Sequence, residues 1–339
     1  MSHIDLSTDY LGFKLENPLV ASASPLSRGL DSARKLEDAG AAAIVMYSLF
    51  EEELRQQEES TSRFMINQGI GHAEADSFLP FDSGFQHGLD QYLEQLSALK
   101  RALKIPVIAS LNGTSLDGWV DHGKLLQAAG ADALELNVYY LSADINESGA
   151  EVEARYLELL RELRQHVSVP IAMKLSPYFS GLANFIKSLE QAGADGVVLF
   201  NRFYQPDIDL DNLQVTSQLQ WSKSADACLS LRWVALLYGK LKLSLATTSG
   251  VHNAGDVLKL ILAGADATQL CSVLLKHGPE YLATIKSDLL SWLDRHDVAS
   301  IADLKGALSQ QRCANPGIFE RSNYINLLDS YSRAQGVRS

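Results

Sequence analysis

Short apolar runs alternate with amphipathic stretches along most of the chain. Four amphipathic stretches end in the same tripeptide, and an apolar run follows each one. These tripeptides are Ala39-Gly40-Ala41, Ala129-Gly130-Ala131, Ala192-Gly193-Ala194 and Ala263-Gly264-Ala265. A glycine just past a helix takes the left-handed conformation that closes the last turn, after which the chain enters a strand. The repeat therefore predicts alternating helices and strands.

Eight apolar runs have the length of strands. The predicted strands are Leu19–Ala23, Ala43–Tyr47, Val107–Leu111, Ala133–Val138, Ile171–Leu175, Gly196–Phe200, Leu243–Thr247 and Ala267–Leu270. The predicted helices are Leu30–Asp38, Leu89–Leu103, Trp119–Ala129, Ala150–His166, Gly181–Ala192, Leu229–Leu241, Ala254–Ala263 and Gly278–His296. Apolar strands separated by helices favour a parallel sheet that is covered on its outer face.

Eight such units predict an α/β fold of the (β/α)8 TIM-barrel type over about residues 17–295. An open doubly wound sheet is the alternative, but no GxGxxG motif follows the first strand. The segment 50–88, after the second strand, is long enough to predict a lid or binding loop. Residues from about 298 to 335 are predicted to add a C-terminal helical extension, and residues 1–339 to form a single domain.

The composition and charge of the chain argue against several classes of function. The formal net charge is −12, and basic residues form no run, which argues against a nucleic-acid surface. The three cysteines lie far apart without a CxxC pair or a His cluster, so we expect free thiols and no metal site. Neither a signal peptide nor an apolar run of membrane-spanning length is evident, which predicts a cytoplasmic protein that does not bind membranes.

In these barrels the chemistry lies at the carboxyl ends of the strands. The polar residues at those positions are Ser22, Ser24, Tyr47, Ser48, Asn112, Asn137, Lys174, Ser176, Asn201, Thr247, Thr248, Ser249, Gly250, Cys271 and Ser272. A single lysine among carboxamides and hydroxyls suits a polar ring with carbonyl and imide groups. The residues after the seventh and eighth strands also suit a phosphate group, with ordinary turn chemistry as the alternative.

Lys174 follows apolar neighbours, and its side chain has three interpretations. It could reach solvent from the end of a strand, or it could form a Schiff base. As a fixed charge at the barrel mouth, it would suit a flavin, whose reduction places negative charge near N1 and O2. Asn112, Asn137 and Asn201 could be turn residues, but carboxamides both donate and accept hydrogen bonds, which matches the edge of a flavin or pyrimidine.

Several motifs together resemble the dihydroorotate dehydrogenase family over about residues 10–295. The motifs are Asn17-Pro18-Leu19-Val20-Ala21-Ser22-Ala23-Ser24-Pro25, Glu135-Leu136-Asn137-Val138, Met173-Lys174-Leu175-Ser176-Pro177, Phe200-Asn201, Ser249-Gly250-Val251 and Cys271-Ser272. The resemblance implies the cofactor FMN. It also implies oxidation of dihydroorotate or a similar dihydropyrimidine in pyrimidine biosynthesis, in which a base removes the C5 proton and hydride passes from C6 to flavin N5.

The resemblance also implies roles for individual residues. The implied FMN-binding residues are Ala21, Ser22, Asn112, Asn137, Lys174, Asn201, Thr248, Ser249, Gly250, Cys271 and Ser272. The implied substrate-binding residues are Asn67, Asn137 and Asn201. Because the chain has no iron–sulfur cysteine cluster, electrons are expected to leave to a soluble acceptor or a partner subunit. A homodimer is left open.

Three departures concern the substrate half of the site. The family has a Cys or Ser base three residues after the fourth-strand Asn, where this chain has Tyr140. A tyrosine with a pKa near 10 is a poor base at neutral pH, so Tyr140 and Ser142 are candidate substitutes beside Lys174 as catalytic residues. Met46 and Tyr47 stand where the family has a second-strand Lys, and Gln218–Ala227 replaces a glycine-rich segment. The alternatives are therefore a different substrate, flavin binding without turnover, or a Lys174 Schiff-base lyase.

Overall fold

A computed structural model describes residues 4–50, 88–113, 116–138, 140–202, 205–217 and 220–321. The strands are β1 Thr8–Tyr10, β2 Phe13–Leu15, β3 Leu19–Ala21, β4 Ala43–Phe50, β5 Val107–Gly113, β6 Ala133–Val138, β7 Ile171–Leu175, β8 Gly196–Leu199, β9 Pro206–Asp209, β10 Gln214–Ser217, β11 Ser244–Thr248 and β12 Ala267–Leu270. Eight of them close into a parallel barrel in the order β11-β12-β3-β4-β5-β6-β7-β8. The predicted (β/α)8 barrel is confirmed.

Helices follow the barrel strands and cover the outside. They are α1 Leu30–Asp38, α2 Gly88–Ala102, α3 Leu116–Ala128, α4 Gly149–His166, α5 Leu182–Ala192, α6 Ala227–Leu237, α7 Ala254–Ala263, α8 Ser272–His277, α9 Tyr281–Arg295 and α10 Ile301–Leu304. Gly193 ends α5 with φ +105° and leads the chain toward β8. The glycines of the other three Ala-Gly-Ala joints also have positive φ, so these joints connect helix to strand as predicted.

Alternate residues of each barrel strand belong to two different cores. Val20, Ile108 and Ala172 face the bore, where they pack with the N-terminal hairpin β1–β2 through Tyr10. The residues between them, such as Met173, pack against the surrounding helices. This period of two fixes which side chains enter the bore at the carboxyl end of each strand.

Two features differ from the pattern predicted from the sequence. The short helix α8 was not predicted; it ends at Gly278, which has φ +90° and is followed by a proline, and the predicted helix Gly278–His296 corresponds to α9. The antiparallel pairs β1–β2 and β9–β10 were not predicted, since their strands are only three or four residues long. The C-terminal extension includes α10 and a 3₁₀ turn at Pro316–Phe319. The predicted loop 50–88 and the tail beyond 321 lie almost wholly outside the described residues.

Candidate active site

A cavity of about 710 Å³ opens at the carboxyl ends of the barrel strands. Its volume falls in the range of small-molecule and cofactor sites. The sequence-predicted residues that line it are Ser22, Ser24, Ser48, Asn112, Asn137, Lys174, Asn201, Thr248, Ser249, Gly250, Cys271 and Ser272. The structure therefore brings together most of the residues proposed from the sequence.

Lys174 lies inside the barrel and does not reach bulk water. Two residues earlier Ala172 faces the bore, whereas Met173 and Leu175 pack against the helices. The side chain of Lys174 therefore points into the bore, and the residue is only 7% exposed. Its Nζ donates a 3.0 Å hydrogen bond to Oε1 of Glu135, which is 0% exposed. A buried charge requires such a partner.

The carboxylate of Glu135 connects Lys174 to the other side of the bore. Its Oε2 accepts a 2.5 Å hydrogen bond from Nε2 of Gln269. The Oε1 of Gln269 in turn accepts a 3.1 Å hydrogen bond from the Ser22 hydroxyl. Lys174, Glu135, Gln269 and Ser22 are all buried, and three of the four line the cavity, so this chain forms part of its floor.

Carboxamides line one wall of the cavity. Asn112 and Asn137 are register partners at the ends of β5 and β6, and Asn137 is also paired with Lys174 of β7. The Nδ2 of Asn201 donates a 2.7 Å hydrogen bond to Oδ1 of Asn137. This bond leaves the amide N–H groups of Asn137 for a ligand, and Asn112 contributes a further amide.

The opposite end of the cavity is formed by the chain after β11 and β12. Ser249 and Gly250 have φ +70° and +80°, and the Ser249 hydroxyl donates to the Phe200 carbonyl at 3.0 Å. Gly250 packs so closely on the Lys223–Ala227 backbone that it has no room for a side chain. Successive amides in a tight turn of this kind suit an anion such as a phosphate.

Two ionisable groups at this end of the cavity have shifted pKa values. Burial raises the pKa of the Cys271 thiol, although Lys174 opposes the shift, so Cys271 is a neutral thiol at pH 7. Burial lowers the pKa of His252, with Asp256 opposing it. The Nε2 of His252 lies 2.9 Å from the hydroxyl of Ser222, which lines the cavity.

Six predicted residues that the structure describes do not line the cavity: Ala21, Tyr47, Tyr140, Ser142, Ser176 and Thr247. The Ala21 side chain packs in the core between barrel and helices. Tyr140 and Ser142 do not line the cavity. Instead, their hydroxyls donate to Oε2 of Glu147 at 2.7 and 3.1 Å. Asn67 lies outside the described residues.

The Tyr140 ring also contacts a cation. The guanidinium of Arg155 lies 4.9 Å from the ring centroid and forms an ion pair with Glu147. In this conformation the phenol of Tyr140, which the sequence makes a candidate base, is engaged outside the cavity.

The sequence-based reasoning missed several lining residues. Gln269 lines the cavity and Glu135 lies directly behind Lys174, yet both stand within strands that were interpreted as apolar runs. Arg202 and Trp221 line the mouth from segments without a recognisable motif. A charged residue inside a buried strand is rare unless it is paired, and this rarity was the available signal for Glu135.

Among the residues that the structure describes, no three His, Cys, Asp or Glu side chains are grouped so that they could hold a metal ion. Within those same ranges, none of the helices combines the length and apolar character needed to cross a membrane.

The family model and the relatives found by comparison with known proteins carry the same description, dihydroorotate dehydrogenase. Residues 5–293 match the family model described as dihydroorotate dehydrogenase. The catalytic subunit of dihydroorotate dehydrogenase B (NAD⁺) from Thermoplasma acidophilum is 27% identical over 89% of this chain and 98% of that protein. The same subunit from Geobacter sp. is 25% identical over 91% and 99%. Dihydroorotate dehydrogenase A (fumarate) from Lactobacillus delbrueckii is 29% identical over 65% and 73%.

Proposed function

Since the chain belongs to the dihydroorotate dehydrogenase family, and is therefore an oxidoreductase acting on CH–CH groups, we propose that it binds FMN and oxidises dihydroorotate or a similar dihydropyrimidine. The observation that carries the proposal is the buried ammonium of Lys174 on the cavity floor. A fixed positive charge there favours a ligand that becomes more negative on reduction.

The residues of the cavity suit FMN. Lys174 and the carboxamides of Asn112 and Asn137 would hold the flavin ring, whose edge alternates donors and acceptors. The turn at Ser249–Gly250 and the chain at Cys271–Ser272 would hold the phosphate. Bound FMN would supply the hydride acceptor, which no amino-acid side chain provides. We propose that residues 1–339 act as one FMN-binding unit.

The substrate would lie against the flavin near Asn137 and Asn201. Their mutual hydrogen bond fixes the orientation of both amides, so donors and acceptors are preorganised for a planar polar ring. Arg202 and Trp221 at the mouth add a cation and an aromatic face. Asn67 remains a predicted substrate ligand.

Removal of the substrate proton needs a base, and the described cavity lining offers a poor choice. Lys174 is ion-paired with Glu135, and burial keeps Cys271 protonated. Tyr140 and Ser142 would have to exchange their bonds to Glu147 for contact with substrate. This observation favours a second candidate function, in which the protein binds FMN but acts on another substrate or does not turn over.

A Schiff-base lyase is less consistent with the geometry. Schiff-base chemistry needs an amine that is free to attack a carbonyl, whereas the Nζ of Lys174 is held by the Glu135 carboxylate at 3.0 Å.

The test is to load the purified protein with FMN and add dihydroorotate anaerobically. Bleaching of the flavin absorption supports the proposed reaction. Stable FMN without bleaching by dihydroorotate or other dihydropyrimidines supports the second candidate, and failure to bind FMN refutes both. The relatives' names include NAD⁺ and fumarate, so both NADH formation and fumarate reduction should be measured.

A further inference from the structure

The hydrogen-bonded chain beneath the cavity spans the whole bore of the barrel. In the strand order, β6 and β12 lie four positions apart among eight, so they face each other across the bore. The 2.5 Å hydrogen bond between Glu135 of β6 and Gln269 of β12 therefore crosses the barrel. Lys174 extends this bridge on one side and Ser22 on the other.

The direction of every hydrogen bond in this bridge follows from the charge on Glu135. An ionised carboxylate only accepts, so the amide NH₂ of Gln269 must point toward it. The carbonyl oxygen of Gln269 then faces Ser22 and accepts from its hydroxyl. Because the Ser22 proton is used inside the bridge, the hydroxyl presents only acceptor lone pairs to the cavity.

On the side away from the cavity, the surroundings keep the bridge out of contact with water. Below it, Tyr10 of the N-terminal hairpin is 1% exposed and closes the bore. Burial, and then the nearby Glu135 carboxylate, raise the pKa of Tyr10 well above its ordinary value, so its phenol stays neutral. The negative charge of Glu135 therefore acts at short range on Lys174 and on whatever lies above it, with little screening.

We propose that Glu135 is a positioning residue that sets the polarity of the cavity floor, holding Lys174 as a partly compensated cation and Ser22 as a hydrogen-bond acceptor toward bound FMN. This inference rests on the proposed function. Glu135 also limits how strongly Lys174 stabilises negative charge on the reduced flavin, because its carboxylate lies behind the ammonium.

The test compares the midpoint reduction potential of bound FMN in the wild type and in variants of the floor. Glu135→Gln removes the negative charge at constant shape, so the potential should become more positive than in the wild type. Lys174→Met removes the positive charge, so the potential should become more negative. A role confined to fold stability would not shift the potential in opposite directions.

A double variant covers the case in which a single substitution leaves a buried charge unpaired and prevents folding. Glu135→Gln combined with Lys174→Met removes both charges, a change that buried ion pairs tolerate better than loss of one partner. Its potential should be less negative than that of Lys174→Met alone. If Lys174→Met does not fold, the potential of the double variant should differ from that of the wild type by only a small shift.

Three results would overturn the inference. They are an unchanged potential in Glu135→Gln, a shift of that variant in the same direction as Lys174→Met, and a double variant as negative as Lys174→Met. A wild-type protein that binds no FMN refutes the proposed function itself, before any variant is compared, whereas wild-type FMN binding with any of the three results refutes only the role of Glu135.

Discussion

Replacement of Gly250 by alanine should distort the end of the cavity that is proposed to hold phosphate. A Cβ at this position would lie 2.3 Å from the Ala227 amide nitrogen and 2.9 Å from the Lys223 carbonyl oxygen. Both are backbone atoms, so no side-chain rotation relieves the contact. The left-handed φ of +80° costs an alanine about 1–2 kcal/mol. Overpacking adds about 1–3 kcal/mol, which gives a total of about 2–5 kcal/mol.

Gly12→Ala is a matched control for this substitution. Gly12 also has φ +80°, but a Cβ there would have nothing within 4 Å. It should therefore lose only the conformational part, about 1–2 kcal/mol. Both substitutions change the unfolded chain in the same way, so the difference between them isolates the contact with the Lys223–Ala227 backbone.

The assay is urea unfolding of the FMN-free protein, followed by FMN titration of each variant. Gly250→Ala should unfold at lower urea than Gly12→Ala and bind FMN about tenfold or more weakly, because a loss of about 1.4 kcal/mol in binding corresponds to a factor of ten. Gly12→Ala should bind FMN like the wild type. Equal losses of stability in the two variants, or wild-type FMN affinity in Gly250→Ala, would refute the reasoning.

Other predictions concern stability. Burial lowers the pKa of His252, so as pH falls below about 6.5 the unfolded chain binds a proton at this residue before the folded chain does. The free energy of unfolding of the wild type should therefore fall between pH 7 and 5. His252→Gln should lose less stability over this range, as measured by urea midpoints. Lys305→Met leaves the Asp266 carboxylate, which is mostly buried, without its ion pair, at a cost of about 1–3 kcal/mol in the free energy of unfolding at pH 7. This loss should shrink as pH falls toward the pKa of Asp266, which burial raises, and a pH-independent loss would contradict that cause. Ser148→Ala removes the capping box of α4 and should cost about 1 kcal/mol in thermal or urea unfolding, with FMN binding unchanged.

The barrel could be predicted from the sequence because each of its units carries its own local signals. Glycine closes a helix, a short apolar run follows, and strands buried on both faces need no alternation of polar and apolar residues. Ala133–Val138, Ile171–Leu175 and Ala267–Leu270 have the predicted bounds. The hairpins β1–β2 and β9–β10 were missed because three or four residues carry too little periodicity to distinguish strand from loop.

The site was predictable to the extent that strand ends determine it. Lys174 and the three asparagines stand at those ends, and the structure gathers them in one cavity. Glu135 and Gln269 stand earlier in their strands and enter the bore by the period of two, which becomes visible only once the strands are paired. Their bond across the barrel joins residues 134 positions apart, and no local pattern encodes it.

The contacts of Tyr140 could not be predicted from the sequence. The sequence identifies the departure from the family's base, but not the contacts that the new residue makes. Its hydrogen bond to Glu147 and the stacking of Arg155 depend on how the chain returns to α4.

The central claim is that this cavity holds FMN over the ammonium of Lys174. The most direct measurement is an equilibrium titration of the purified, flavin-free protein with FMN, followed by the change in flavin absorption, for the wild type and Lys174→Met. We predict one FMN per chain, with a perturbed flavin spectrum in the wild type that Lys174→Met alters. A wild-type protein that leaves the FMN spectrum unchanged at saturating concentrations would contradict the account.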